Sequence, residues 1–194
     1  MKKVKHLGAP IITLKQFAEL RPSIKGKVVM TSGAFDPIHP GHVSCFIESK
    51  KLGDILVVVI NGDWFLTEKK GKPFQDLTTR SLIVSGLREV DYVIPFEIEG
   101  DIGQSKTLEA VRPDIFTKGG NRSSLAMLPK EEADVIKKNK INVRFNIGAN
   151  KLWSSSDFLE QWVAFRLKDK ESIKRVKEFY KLSYSGLKSG KLKK

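Results

Sequence analysis

The chain has 194 residues and a mass of 21.8 kDa, and it is 40% hydrophobic and 29% charged, a soluble globular composition that excludes a fibre or a fully disordered chain. Its formal net charge is +13, yet residues 1–27 hold seven basic residues against one acidic, residues 166–194 hold eleven against three, and the stretch between them balances at −1. A nucleic-acid-binding domain carries its basic patch on the folded body, so nucleic acid is not the expected main partner and the basic ends read as solvated flanks.

Met1-Lys2-Lys3-Val4-Lys5-His6 lacks the apolar core of a secretory leader. No later run approaches the roughly 18–20 apolar residues of a membrane span, and the expected location is the cytoplasm. Residues 13–20 predict a short helix inside a basic extension over 1–26. Lys27-Val28-Val29-Met30-Thr31 reads as a strand that ends at Ser32-Gly33. Residues 41–51 place Val43, Phe46 and Ile47 at helical spacing, with Cys45 one turn inside as buried packing. That single cysteine excludes an internal disulfide and a four-cysteine zinc site, and it suits a reducing compartment. Asp54-Ile55-Leu56-Val57-Val58-Val59-Ile60 is a fully buried strand by composition.

Thr78-Thr79 opens a predicted helix over 78–88 that runs through Leu82, Ile83 and Leu87. Strands at 91–95, 114–117 and 141–145 alternate with helices at 104–111 and 129–138, the second with Pro129 at its start. β-Branched strands alternating with helices predict an α/β body over 27–165: a doubly wound parallel sheet of about five strands, covered on both faces. Ligands of such a sheet bind at the carboxyl ends of its strands. Helices at 155–168 and 170–182 follow, and the Ser-, Gly- and Lys-rich end predicts a flexible tail, so that 166–194 is a basic helix and tail. The apolar positions Phe158, Leu159, Trp162, Phe165 and Leu167 pack on the sheet or on a second subunit in this reading, which makes a homodimer one expectation.

The segment richest in chemistry is Thr31-Ser32-Gly33-Ala34-Phe35-Asp36-Pro37-Ile38-His39-Pro40-Gly41-His42. It leaves the first strand, turns through Gly33 and enters a helix near Gly41. His39 and His42 then stand at a helix N-terminus, where unpaired N–H groups and the helix dipole favour an anion. Gly41 removes the side chain that would obstruct a phosphate, and an imidazole there can donate to phosphate oxygens as charge builds. A zinc pair is the rejected alternative, because zinc needs further Cys or His ligands and His6 is the only other histidine.

Gly33-x-Phe35-Asp36-x-x-His39-x-Gly41-His42 resembles the signature of the cytidylyltransferase-like nucleotidyltransferases, a family with a Rossmann-like fold. Two branches are similar: the glycerol-3-phosphate cytidylyltransferases and the heptose-1-phosphate adenylyltransferase domains. The resemblance continues through Lys51-Leu52-Gly53-Asp54, Asp63, a lysine-rich loop at 69–72, and Arg80, eleven residues before Asp91. Lys118-Gly119-Gly120 after the fourth strand is similar to the adenylyltransferase branch, and Ser154-Ser155-Ser156 resembles the family's Ser-Thr-Thr segment.

The resemblance implies an enzyme that transfers a nucleotidyl group from ATP, or CTP, to a phosphorylated sugar or polyol and releases pyrophosphate. His39 and His42 then bind phosphates, Lys69 or Lys70 swings from its loop onto the leaving phosphates, and Arg80 fixes substrate or triphosphate. Gly33, Ala34, Phe35, Asp36, Gly41, Lys118, Gly119, Gly120, Ser154, Ser155 and Ser156 make up the implied nucleotide site. Asp36 has two open roles, holding the turn or linking to a metal. Magnesium is expected with the triphosphate, without identified ligands.

Two departures stand out. Gly148-Ala149-Asn150-Lys151-Leu152-Trp153 occupies the place of an arginine in the cytidylyltransferase branch, and Ala34 replaces a threonine or cysteine. The alternatives carried forward are a CTP-dependent glycerol-3-phosphate enzyme and, in another class, a non-catalytic nucleotide-fold protein using its basic ends on nucleic acid or an anionic surface.

Overall fold

The computed structural model describes residues 8–98, 103–120, 123–149, 154–168, 171, 173 and 174. Five parallel strands form one sheet in the order β3-β2-β1-β4-β5, with β1 at Val28–Gly33, β2 at Ile55–Asn61, β3 at Tyr92–Phe96, β4 at Ile115–Thr117 and β5 at Asn142–Arg144. The doubly wound sheet expected from the alternation of strands and helices is therefore present, and each strand lies within a residue or two of its predicted span.

Both faces of the sheet are covered, as an apolar run without polar alternation requires. Val28, Met30, Val57, Val59, Ile94 and Phe116 turn to one face, where they meet Phe17, Leu108, Val111, Val135 and Ile136. Those partners come from α1 (Leu14–Leu20), α5 (Ser105–Val111) and α6 (Lys130–Lys138). Val29, Leu56, Val58, Ile60, Val93 and Ile115 turn to the other face, against Phe46 and Val84 from α2 (Pro40–Lys50) and α4 (Leu77–Ser85). Thr13 and Gln16 close a capping box on α1. Phe17 is fully buried with its ring edge-on to Tyr92, and Ile11 bridges Val93.

One device recurs at the amino ends of the strands. Asp54, Asp91 and Asp114 each sit just before a strand. Each gives its N–H to a carbonyl of the neighbouring strand's start, at Lys27, Leu56 and Val28 respectively. Each carboxylate also accepts a backbone N–H there: Asp54 from Lys27 at 2.6 Å, Asp91 from Leu56 at 2.7 Å and Asp114 from Val28 at 2.7 Å. The first amides of buried strands would otherwise lack partners, and an orphaned buried amide is costly. Lys50 from the end of α2 pairs with Asp91, and Arg21 pairs with Asp114.

Two local expectations are corrected. The helix expected over 78–88 starts at Leu77, because the cap is Asp76, whose Oδ1 accepts from Thr79 N at 2.6 Å, and not Thr78-Thr79. The lysine-rich segment 69–72 is only half a loop: Lys69 and Lys70 form the last turn of a further helix, α3 (Asp63–Lys70), and the loop begins at Gly71 with φ of 86°. What stabilises α3 is distant in sequence, since the Glu97 carboxylate accepts from Asp63 N and Trp64 N and so caps its first turn.

The chain divides into two compact units, Met1–Trp153 and Ser154–Lys194. In the second, α7 (Ser155–Lys168) follows Ser154, whose carbonyl accepts from Phe158 N and whose hydroxyl accepts from Asp157 N at 3.4 Å. Along α7 the Trp162 and Phe165 rings stack with centroids 5.5 Å apart. The helix expected over 170–182 and the tail lie almost wholly outside the described residues. Among the described residues no helix is long and apolar enough to cross a membrane.

The strand-leading aspartates yield a test. Asp91→Ala leaves Leu56 N–H without its partner inside the sheet and should lower unfolding free energy by about 1–3 kcal/mol. Lys50→Ala, which removes the partly exposed ion-pair partner and its bond to the Asp54 carbonyl but leaves Leu56 N–H its acceptor, should cost under about 1 kcal/mol. Urea unfolding of the two variants checks the order; equal losses would mean that the ion pair, not the strand amide, carries the effect.

Candidate active site

The strand order places a topological switch point between β1 and β4. From β1 the chain works outward through β2 to β3, then crosses to β4 and β5 on the other side. Loops leaving β1 and β4 therefore part in opposite directions and open a crevice at the carboxyl edge. The β1 loop is Ala34–His39 and leads into α2; the β4 loop begins with Lys118-Gly119-Gly120. Motifs 85 residues apart in sequence thus meet through strand pairing, with Thr31 in register with Thr117.

The β1–α2 turn is tightly built. Phe35 takes a left-handed backbone with φ of 53°, an uncommon state for a bulky residue. Its buried ring lies edge-on to His42 at 5.1 Å and to Phe46 at 5.0 Å. Gly33 makes room for it, since a Cβ there would meet the Phe35 ring at 2.9 Å. Asp36 is 2% exposed. Its two carboxylate oxygens accept from Phe74 N and Gln75 N, each at 2.8 Å, so of its two open roles it fills the one of holding the turn. It ties the α3–α4 loop to the segment carrying the histidines.

His39 is the N-cap of α2, and its Nδ1 accepts from His42 N at 3.3 Å. Pro40 and Gly41 form the first helical positions, with proline where a missing N–H costs nothing. The two imidazoles stack, with centroids 3.6 Å apart and planes 18° from parallel. Accepting at Nδ1 puts the proton of neutral His39 on Nε2, the outward nitrogen. Burial, and then the positive charge of Lys70, hold the His39 pKa below its ordinary 6.5. Burial, His39 and Lys70 pull His42 down to about 3. Both rings are neutral in the unliganded protein near pH 7, and the cation that acts on them is Lys70. Lys69 instead lies 5.5 Å over the Phe65 ring.

Arg80 is fully buried. Its Nε donates to Gln75 O at 2.9 Å. One terminal nitrogen donates to Ala34 O and Asn61 O, both at 2.7 Å, and the other to Asp63 Oδ1 at 2.7 Å. The guanidinium is thus occupied by the ends of β1 and β2, by α3 and by the α3–α4 loop. Asp63 also accepts from Leu77 N at 3.1 Å.

On the β4 side, Lys118 Nζ donates to Ser32 Oγ at 3.2 Å. Gly119 packs tightly: a Cβ there would lie 3.1 Å from Ile147 O and 3.3 Å from Cys45 Sγ, whereas Gly120 faces open space but needs its φ of 73°. Cys45 is buried, as expected from its helical position. Ser154 caps α7 and Ser155 and Ser156 form its first turn, in the second unit. Lys151 lies outside the described residues. Asn61, Gln75, Gln104 and Glu132 help build the carboxyl edge without any local signature; each is recruited by a partner far away in sequence. Among the described residues no group of three or more His, Cys, Asp or Glu side chains could hold a metal.

Two tests follow from this geometry. Arg80→Lys offers one nitrogen to four acceptors and should destabilise the fold by at least about 2 kcal/mol, measured by urea unfolding; an unchanged midpoint would show the bonds to be dispensable. His42, held neutral, contributes stability that is complete above its unfolded value of 6.5 and is lost as pH falls through 6.5 toward about 3. The unliganded protein should lose stability across that window, and His42→Gln should flatten the loss. Parallel pH profiles would sink the assignment.

Comparison with known proteins agrees with this arrangement. The chain is 40% identical over 119 residues to the bifunctional protein HldE of Haemophilus ducreyi, covering 59% of this chain and 24% of that protein. It is 34% identical over 131 residues to HldE of Helicobacter hepaticus, covering 66% and 27%. It therefore spans about a quarter of the length of these curated relatives. Among solved structures, a lipopolysaccharide core biosynthesis protein from Thermoplasma volcanium is 36% identical, with a TM-score of 0.52, over 62% of this chain and 94% of that one. A pantoate-beta-alanine ligase from Francisella tularensis, at 19% identity and a TM-score of 0.51 over 75% of this chain and 68% of that one, shares the fold. The sequence profile described as Cytidylyltransferase-like matches residues 30–182. With its histidine-bearing turn at the switch point of a five-stranded parallel sheet, the chain belongs to the Cytidylyltransferase-like family.

Proposed function

We propose that the protein is a nucleotidyltransferase that moves a nucleotidyl group from ATP to a phosphorylated sugar and releases pyrophosphate. The observation that carries this reading is the stacked His39–His42 pair at the N-terminus of α2, opening on the β1/β4 crevice with Lys70 close enough to depress both imidazoles. Such an assembly is suited to a polyanion: a helix N-terminus, two neutral imidazoles and the charge of Lys70 lie together where a phosphate can bind.

In the reaction an acceptor phosphate oxygen attacks the α-phosphorus. A new P–O bond forms there as the bond to the oxygen bridging toward the β-phosphate breaks, and pyrophosphate carries away the electron pair. A phosphate monoester is already anionic at neutral pH, so neither a general base nor a covalent nucleophile is needed. The protein's contribution is positioning and charge neutralisation. His39 and His42 donate to the phosphates, Lys70 meets the departing pyrophosphate, and Lys118 with the Gly119–Gly120 turn borders the nucleotide. Ser154, Ser155 and Ser156, at the start of α7 in the second unit, offer hydroxyls and first-turn amides of a kind that binds anions. Magnesium enters on the triphosphate oxygens as part of the substrate, while the Asp36 carboxylate holds two backbone amides of the α3–α4 loop. The Lys118-Gly119-Gly120 turn supports ATP over CTP, and the relatives named for HldE and for lipopolysaccharide core biosynthesis support a sugar phosphate as acceptor.

The test joins binding to turnover. ATP with magnesium should raise the melting temperature more than CTP, GTP or UTP at equal concentration, and pyrophosphate should be released when a suitable sugar phosphate is added. His39→Ala and His42→Ala should each lower turnover about 10²-fold or more while the protein stays folded. A larger shift with CTP would reassign the nucleotide, and near-normal release by either histidine variant would remove this site from the chemistry.

A further inference from the structure

We propose that Glu132 is a positioning residue for nucleotide binding, acting through Lys118 at the β1/β4 crevice; the proposal rests on the nucleotide-binding reading above. Glu132 lies in the first turn of α6 and is 3% exposed. Its Oε1 accepts from Gln104 N at 3.0 Å. Its Oε2 has no hydrogen-bond donor and faces Lys118 Nζ at 3.8 Å.

Ser32, Phe116 and Glu132 all lie against that ammonium. Ser32 Oγ receives its hydrogen bond at 3.2 Å, the Phe116 ring lies 4.4 Å beneath it, and the Glu132 carboxylate stands behind it. Ser32 and Lys118 follow the register pair Thr31–Thr117, so the ammonium sits where β1 and β4 end and their loops part.

Stability alone is a weak reason for this arrangement. Burying a carboxylate and an ammonium is costly, and an apolar pair of similar volume usually serves the core as well. A buried pair that served only itself would close to the roughly 2.7–2.9 Å of a charge-assisted hydrogen bond. At 3.8 Å the carboxylate attracts the ammonium without a hydrogen bond, and Nζ donates to Ser32 Oγ near the end of β1.

Glu132 is itself held from the α5 side. Gln104, whose backbone N–H it accepts, donates from Nε2 to Asn61 Oδ1 at 3.1 Å and accepts from Thr107 Oγ1 at 2.9 Å. Asn61 O in turn is bonded to Arg80. The cation at the β4 side and the loops at the β1 and β2 side thus share one buried polar chain. A triphosphate reaching the crevice finds Lys118 already oriented, which removes part of the ordering cost of binding.

The experiment is a double-mutant cycle on the full-length chain, with ATP affinity read by titration calorimetry and melting temperature read alongside. Wild-type protein is titrated first with ATP and with CTP: if neither binds, the nucleotide reading fails, independently of Glu132. Given wild-type binding, Lys118→Met should weaken ATP, and Glu132→Gln, which keeps an acceptor for Gln104 N but removes the charge, should weaken it about tenfold. In the Lys118→Met background Glu132→Gln should change affinity less than about twofold, a coupling that a merely structural role would not produce. Should Glu132→Gln not fold, Glu132→Asp, which draws the carboxylate back from Lys118 by one methylene, takes its place: a smaller loss of ATP affinity that disappears in the Lys118→Met background is expected, and an equal loss in both backgrounds overturns the proposal. ATP bound as tightly or more tightly by the Glu132 variant, or an equal loss in both backgrounds, overturns the proposal.

Discussion

A single guanidinium, sealed from solvent, fixes the carboxyl edge of this protein. Arg80 joins the carbonyls of Ala34, Asn61 and Gln75 to the Asp63 carboxylate. Arginine's planar fork suits four acceptors in different directions, and its charge is satisfied by hydrogen bonds that replace water. Three segments that shape the edge meet in these bonds. Ala34 belongs to the turn that delivers Phe35 and the histidines, Asn61 ends β2, and Gln75 belongs to the loop clasped by Asp36. The resemblance implies that Arg80 fixes substrate or triphosphate; in the structure its buried guanidinium holds the histidine turn through the Ala34 carbonyl.

From that guanidinium two polar arms run outward. One passes through Asp63, which also accepts the N–H of Leu77 at the head of α4, while the Asp63 amide itself is capped by Glu97. The other passes through Asn61 to Gln104 and on to Glu132 and Lys118. Side chains near a crevice are poorly held by apolar packing, which is concentrated inside the sheet layers. Hydrogen-bond chains do the orienting there, and they are directional where the hydrophobic effect is not.

The sheet was legible because its signal is local: β-branched runs such as Ile55–Ile60 cannot be mistaken for exposed segments, and the glycines and helical periods between them punctuate the alternation. The histidine turn was legible for the same reason, since Gly33 through His42 is one continuous stretch. What escaped the sequence depends on partners far along the chain. Helix α3 carries no such local signal, because its first turn is capped by Glu97 just after β3, and its closing lysines read as a loop in sequence. The start of α4 was misplaced because Asp76, not a threonine, holds Thr79 N. Glu132 carries no sign of its contact with Lys118, and Asp36 could be placed in the turn but not assigned its two amides. Lys69 and Lys70 are alike in sequence; the structure sets the Lys69 ammonium over the Phe65 ring, while the charge of Lys70 bears on both imidazoles.

The aspartates that lead into β2, β3 and β4 have a bearing on how such a protein can diversify. They satisfy strand amides at the amino edge, through Lys27, Leu56 and Val28, on the opposite rim from the histidines, Lys70 and Lys118. The bonds described at one rim use none of the side chains named at the other. Substitutions that reshape the crevice for a different acceptor leave the amino-edge clasps untouched, and losses of stability at one rim can be offset at the other by independent changes. The architecture therefore separates the inheritance of the fold from the drift of its chemistry, so that new specificities can arise at the crevice without renegotiating how the strands begin.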